Sequence, residues 1–157
     1  MLKNTTRINL LILLALITTS PVFSNSATFH LGFNADGISV GGDYEIKMDT
    51  NTGAGAYFHL VPKGDTVSGL TSLGGFVKPH ISVDSFDIYL APGFGLHLVS
   101  PVVGDSKSYL GPVLKTGVLY RLNPDILIGL EEAKFWSWFS DAGAITSEIL
   151  FSVRLNL

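Results

Sequence analysis

Thirteen side chains that can ionise lie at alternate positions along several segments of the chain, and groups of this kind can carry out catalysis or bind metals. Within each segment they share one side while apolar residues share the other, because side chains two apart lie on one face of a β-strand. The set comprises His30, Asp43, Glu45, Lys47, His59, Lys78, His80, Asp87, His97, Lys115, Glu131, Glu148 and Arg154. Such groups could form a catalytic site, a metal site or a network of internal ion pairs.

The histidines are the residues best suited to catalysis or metal binding. His80 and Ser82 are two positions apart, so a strand would place a base and a nucleophile on one face. A metal site needs three or four ligands that converge with defined geometry. The four histidines fall on different segments, and the sequence does not show that they share a level. We therefore expect internal hydrogen bonding, with no metal and no other cofactor.

The last thirteen residues show the alternation most clearly. In Ile145–Leu157 the odd positions are apolar except Ser147, and the even positions are polar except Leu150. A period of two over this length predicts a β-strand with one apolar and one polar face.

The same alternation predicts eight strands along the chain. We expect them at residues 27–34, 38–48, 54–61, 73–83, 86–98, 110–120, 126–138 and 145–157. Turns at 49–53, 83–86 and 123–125 are short, whereas loops at 62–72, 100–108 and 139–144 are longer. Short turns at one end and long loops at the other are typical of up-and-down membrane barrels. Only the first hairpin, at 34–37, departs from this rule.

The alternation slips at Glu131 and Glu132. If it continued unchanged, Glu132 and Lys134 would join the apolar face. A β-bulge would place both glutamates on the polar face, and we expect one here.

The N-terminus has the pattern of a secretory signal peptide. Lys3 and Arg7 precede the apolar run 8–17, and small polar residues follow. That run is shorter than the roughly 20 residues that a spanning helix needs. We expect residues 1–24 to be removed and residues 25–157 to form the barrel domain. The chain has no cysteine and a net charge of −3, which argues against disulfides and a nucleic-acid partner.

The apolar faces indicate which side of the barrel meets water. A lipocalin-like barrel would turn them inward, but they carry too many large aromatic residues for an eight-stranded bore. Glycines concentrate on the polar face, as a crowded interior requires. The sequence thus predicts an all-β, eight-stranded antiparallel transmembrane β-barrel, with interfacial aromatics at Tyr44, Tyr120, Trp136 and Trp138.

Two stretches carry a resemblance to a known group of proteins. Residues 117–124, Gly-Val-Leu-Tyr-Arg-Leu-Asn-Pro, and residues 88–95, Ile-Tyr-Leu-Ala-Pro-Gly-Phe-Gly, are similar to hairpin and strand sequences of small OmpA-like and opacity-type outer-membrane barrels. The resemblance implies an outer-membrane location in a Gram-negative bacterium and a C-terminal assembly signal. That signal would comprise Phe151, Val153, Leu155 and Leu157, although the family usually ends on Phe.

The resemblance also implies the partners and the range of functions. We expect contact with outer-membrane lipid, lipopolysaccharide and the barrel-assembly machinery, and an external ligand or cell-surface partner of unknown identity. The expected role is non-enzymatic, structural or surface-interacting, with external loops carrying specificity. A narrow passive channel is the alternative. A lipid A-modifying enzyme comes third, because some outer-membrane deacylases use a His-x-Ser pair that faces lipid, whereas His80 and Ser82 would face the bore.

Overall fold

The computed structural model describes residues 25–34, 37–138 and 144–157. The expected signal peptide, the tip of the first hairpin and residues 139–143 lie outside the described residues. The strands are β1 (Asn25–Asn34), β2 (Gly37–Lys47), β3 (Thr52–Val61), β4 (Gly69–Val83), β5 (Phe86–Ser100), β6 (Lys107–Arg121), β7 (Ile126–Trp136) and β8 (Ala144–Asn156).

The eight strands form one closed barrel in chain order. Each strand pairs antiparallel with the next, and β8 closes onto β1, where Ser26–Gly32 pairs with Leu150–Asn156. Closure leaves no sheet edge along the wall, which is what a bilayer requires of a β-structure. This confirms the predicted fold class. The described residues contain no helix that is long and apolar enough to cross a bilayer.

Connection lengths differ between the two ends of the barrel. The turns 48–51, 84–85 and 122–125 lie at one end, called the turn end here, and the loops 62–68 and 101–106 lie at the opposite, loop end. β4 begins at Gly69, four residues before the expected start, because the ladder continues up to the pairing of Val61 with Leu70. The loop before it is correspondingly shorter than expected.

The wall of the barrel is apolar outside and charged inside. Outward side chains such as Phe29, Leu73 and Ile149 are exposed, whereas the ammonium-bearing Lys78 and Lys115 are fully buried. A soluble barrel would have the opposite arrangement, because its ionised groups would lie in water. The exterior therefore suits lipid and the interior suits paired charges.

The strand β7 corrects one expectation from the sequence. The ladder between β6 and β7 runs without a break through Glu131 and Glu132, and the irregularity lies between Phe135 and Trp136. Glu131 is buried inside, whereas Glu132 and Lys134 point outward. The predicted bulge is thus wrong. The strand keeps its alternation because the outward Glu132 carboxylate has a partner of opposite charge, the Lys134 ammonium at 2.9 Å.

Candidate functional site: the charged interior

The interior of the barrel is organised in three layers of side chains. The turn-end layer contains Glu45, His80, Asp87 and Arg154. The central layer contains His30, Asp43, Lys78, Tyr89, Lys115 and Glu131. The loop-end layer contains Tyr57, His59, Ser72, His97, Phe135 and Glu148. Together the layers contain twelve of the thirteen predicted ionisable residues inside the barrel.

The turn-end layer is a chain of alternating charges. The His80 imidazole lies between two carboxylates, with Nε2 at 2.8 Å from Glu45 and Nδ1 at 3.0 Å from Asp87. Asp87 also accepts a hydrogen bond from the Arg154 guanidinium, which stacks over the Tyr89 ring at 5.1 Å. Each carboxylate therefore has a cationic or hydrogen-bonding partner, as burial requires.

The central layer is built around Asp43. This carboxylate accepts hydrogen bonds from Lys115 at 2.5 Å and from Lys78 at 3.2 Å. The Lys115 ammonium also lies 3.5 Å from Glu131, which accepts a hydrogen bond from the Tyr89 hydroxyl. Gly117 makes room for this arrangement, because a Cβ there would collide with the Tyr89 ring.

Three buried residues of the central layer have the spacing of metal ligands. One ligand atom from each of His30, Asp43 and Glu131 lies within 4.8 Å of the others. The Lys115 ammonium, however, lies 2.5 Å from Asp43 and 3.5 Å from Glu131, so a tethered cation already balances both carboxylates. A divalent ion would have to displace it against charge repulsion. We therefore keep the expectation that this cluster holds no metal.

The loop-end layer combines imidazoles with an aromatic ring. His59 Nε2 lies 2.8 Å from the Glu148 carboxylate, and the Phe135 ring stacks on His59 with centroids 5.0 Å apart. The ring also contacts His97, which donates from Nε2 to the Gly111 carbonyl at 3.2 Å and accepts from Ser72 at 2.7 Å. These contacts make the layer a packed plug, in which His59 Nδ1 is the one ring nitrogen of the two histidines that is buried without a hydrogen-bond partner in the part of the chain that the structure describes.

None of the three serine–histidine pairs considered among the described residues has the features of a catalytic site. His80 is bonded to two carboxylates, and Ser82 is exposed at the turn end with no hydrogen bond to it among the described contacts. The other two pairs, Ser72 with His97 and Ser152 with His30, have a base and a hydroxyl in contact, but all four residues are buried. A substrate would have to enter the packed interior to reach them.

Lys47 lies apart from the three layers. It lines a cavity of about 390 Å³ at the turn end, together with Arg121 and members of the turn-end layer. Two charged residues of β8 find their partners away from the neighbouring strands β1 and β7. Glu148 reaches His59 on β3, and Arg154 reaches Asp87 on β5. A bore this narrow lets long side chains cross it, so pairing is not confined to neighbouring strands.

The predicted interfacial aromatics and assembly residues point outward. Tyr120 meets Phe86 edge to face at 5.3 Å near the turn end, and Trp138 meets Phe94 at 5.5 Å near the loop end. Tyr44 and Trp136 are half-buried on the same outer wall. The outer wall of β8 also carries Phe151, Val153 and Leu155, and the exposed Leu157 follows the strand.

Sequence reasoning missed the apolar residues of the interior. Tyr57, Leu119, Leu127, Phe135 and Leu150 are almost fully buried inside the barrel. The alternation places them on the same strand faces as the charged residues, and this placement is the sequence signal that indicates their burial. They fill the space between ion pairs, so the interior is a mixed core rather than a purely polar one.

Comparisons with known proteins agree with this architecture. No family model matches the sequence, and no curated protein matches it. Among solved structures, the chain is similar to the N-terminal β-barrel domain of Pseudomonas aeruginosa OprF, with 12% identity and a TM-score of 0.66 over 85% of this chain and 97% of that one. It is also similar to Neisserial surface protein A, with 14% identity and a TM-score of 0.55 over 86% and 96%.

A third similar structure is that of the Yersinia pestis outer-membrane protein Ail in a phospholipid bilayer nanodisc. The identity is 11% and the TM-score 0.56, over 86% of this chain and 99% of that one. Ail is named the attachment invasion locus protein. At these identities the likeness concerns the fold, which is that of small outer-membrane β-barrels. Together with the apolar outer wall, this fold indicates the outer membrane as the location.

Proposed function

We propose that this chain is a non-enzymatic outer-membrane barrel with a closed bore, whose external loops make its contacts with a surface partner. The observation that carries the proposal is the complete burial of side chains in two successive layers. Lys78 and Lys115 in the central layer, and His59, His97 and Phe135 in the loop-end layer, are inaccessible to solvent. Side chains of an open pore would be bathed in water, so this packing favours a plug over a channel.

The external surface contains features suited to a partner. The loop 101–106 carries Val103 with 87% of its surface exposed, beside a cavity of about 380 Å³ that Pro101, Lys107 and Tyr109 help to line. Exposed apolar side chains on a loop are a common means of protein recognition. Ail, whose name refers to attachment, has the same fold.

Planar-bilayer recording tests the closed bore. We expect the refolded protein, inserted in a bilayer, to give no steady single-channel conductance, because ions would have to pass the buried ion pairs of Asp43. An unrelated porin refolded in the same way is the positive control. A reproducible open state in most insertions would favour the narrow-channel alternative and overturn the closed-bore proposal.

Cell adhesion tests the surface role. A non-adherent laboratory bacterium that displays the wild-type barrel should bind cultured epithelial cells more strongly than one carrying an empty vector. The V102S/V103S variant should reduce the bound fraction about tenfold, as expected for the loss of two buried apolar contacts at an interface. V83S, which alters an exposed valine at the turn end, is the matched control. Equal adhesion with the barrel and the vector would reject this role.

A further inference from the structure

The outer wall of β7 and β8 carries a charge pair on a surface that otherwise suits lipid. The Lys134 ammonium lies 2.9 Å from the Glu132 carboxylate, and the Ser147 hydroxyl donates to the same carboxylate at 3.3 Å. The side chains of Lys134 and Glu132 remain 41% and 42% exposed. We call Glu132 and Lys134 the wall charge pair.

The register places the wall charge pair beside the apolar belt rather than in a loop. Glu132 is paired across the sheet with Ile149 on β8 and with Thr116 on β6. Leu130 and Ile149, which are both largely exposed and point outward, lie next to it. Trp138, a large aromatic at the loop end, lies four residues beyond Lys134.

A charge pair in this position is incompletely compensated by its own chain. Charged side chains on the lipid face of a barrel cost up to about 2–4 kcal/mol near the bilayer midplane and less towards the interfaces. The mutual contact offsets part of this cost, but about two-fifths of each side chain still faces outward. A partner that brings both a cation and an anion would complete the compensation.

We propose that the wall charge pair is a lateral contact with a second copy of this chain. All copies in one membrane have the same orientation, so a two-fold axis along the membrane normal brings equal depths together. The two charged groups lie only 2.9 Å apart. A two-fold axis that passes beside them therefore brings the ammonium and the carboxylate of one copy within reach of the carboxylate and the ammonium of the other.

The same pair is poorly suited to a lipid phosphate. A phosphate is attracted by Lys134 but repelled by Glu132, whose carboxylate lies beside the ammonium. A second copy is complementary to both groups at once. The outward Leu114 and Ile149 flank the pair on β6 and β8, and apolar packing there would surround the four charges.

Cysteine crosslinking in lipid nanodiscs or vesicles tests the proposal, because the chain has no cysteine of its own. I149C places a single thiol beside the wall charge pair, and L73C places one at an exposed position on β4, on the far side of the barrel. We expect mild oxidation to produce disulfide dimers with I149C and few with L73C. In the I149C background, E132Q/K134Q should reduce the dimer fraction about tenfold or more, the effect of losing the charge-assisted contacts across the two-fold axis.

Charge reversal distinguishes this contact from a structural role within one chain. In the I149C background, E132K alone and K134E alone should each lose crosslinking, because two like patches would face each other. A mixture of the two variants should regain it, since one patch is then positive and the other negative. Heat-modifiable gel migration checks that every variant is folded. Equal crosslinking of I149C and L73C, or no recovery in the mixture, would overturn the proposal.

Discussion

Replacing Asp43 with alanine is expected to lower the free energy of unfolding by about 3–5 kcal/mol, the cost of removing one partner from a buried ion pair. The carboxylate is the common acceptor for Lys115 at 2.5 Å and Lys78 at 3.2 Å, and all three side chains are fully buried. Its loss would leave two ammonium groups near each other with only the outlying carboxylates Glu45 and Glu131 for compensation. Urea unfolding in lipid vesicles, followed by the fluorescence of the two tryptophans, measures the change.

The matched control is D105A, which removes an exposed carboxylate from the loop 101–106 and should change stability by less than about 0.5 kcal/mol. The double variant D43A/K115M removes the carboxylate together with one of its cations. It should lose less stability than the sum of the two single variants, because the residues share one interaction. A D43A protein as stable as D105A would contradict the central place of Asp43.

Replacing Phe135 with alanine is expected to cost about 3–5 kcal/mol, as for other buried phenylalanines. The ring is fully buried and contacts three other rings, with centroid distances of 5.0 Å to His59, 5.7 Å to His97 and 6.3 Å to Tyr57. Its removal would leave a cavity beside polar groups that now depend on the ring to exclude water. The same urea titration reports the loss.

Phe29 supplies the comparison for Phe135 because it is a phenylalanine on the outer wall, 60% exposed. F29A should cost much less, since lipid chains can fill the space that the ring vacates. If F29A and F135A were equally destabilising, the packing of the loop-end layer would not contribute more than the lipid contact of the outer wall.

Periodicity was sufficient to predict the architecture, because a period of two residues shows which residues share a face of each strand. The alternation puts Asp43, Lys115 and Arg154 on one face and Phe151 on the other, and the bulk of the apolar faces then assigns the charged face to the interior, where the barrel has it. The prediction failed at Glu132 because the rule that charges face inward was preferred to the alternation itself. A partner two residues away, Lys134, removes the need for a bulge, and only the ladder reveals that this local pairing prevails.

The pairing of interior charges could not be predicted from the sequence. Which side chains meet depends on the stagger of the strands and on the width of the bore, and neither is encoded in local alternation. Arg154 on β8 therefore finds Asp87 on β5, and Glu148 finds His59 on β3. The alternation already placed Leu150 among the inward positions. The expected bulge at Glu131 and Glu132, however, would have moved Phe135 to the outward phase, whereas the unbroken strand keeps it inside.

The closure of β8 onto β1 has a consequence for the order of folding. Every other ladder joins strands that are adjacent in sequence, whereas Ser26 pairs with Asn156, 130 residues away. Contacts between distant parts of a chain are entropically expensive until the intervening segments are ordered. Closure is therefore expected to follow the formation of the hairpins. Substitutions at this junction should then act on the rate of opening more than on the rate of assembly, which gives the barrel a single place where its kinetic lifetime is determined.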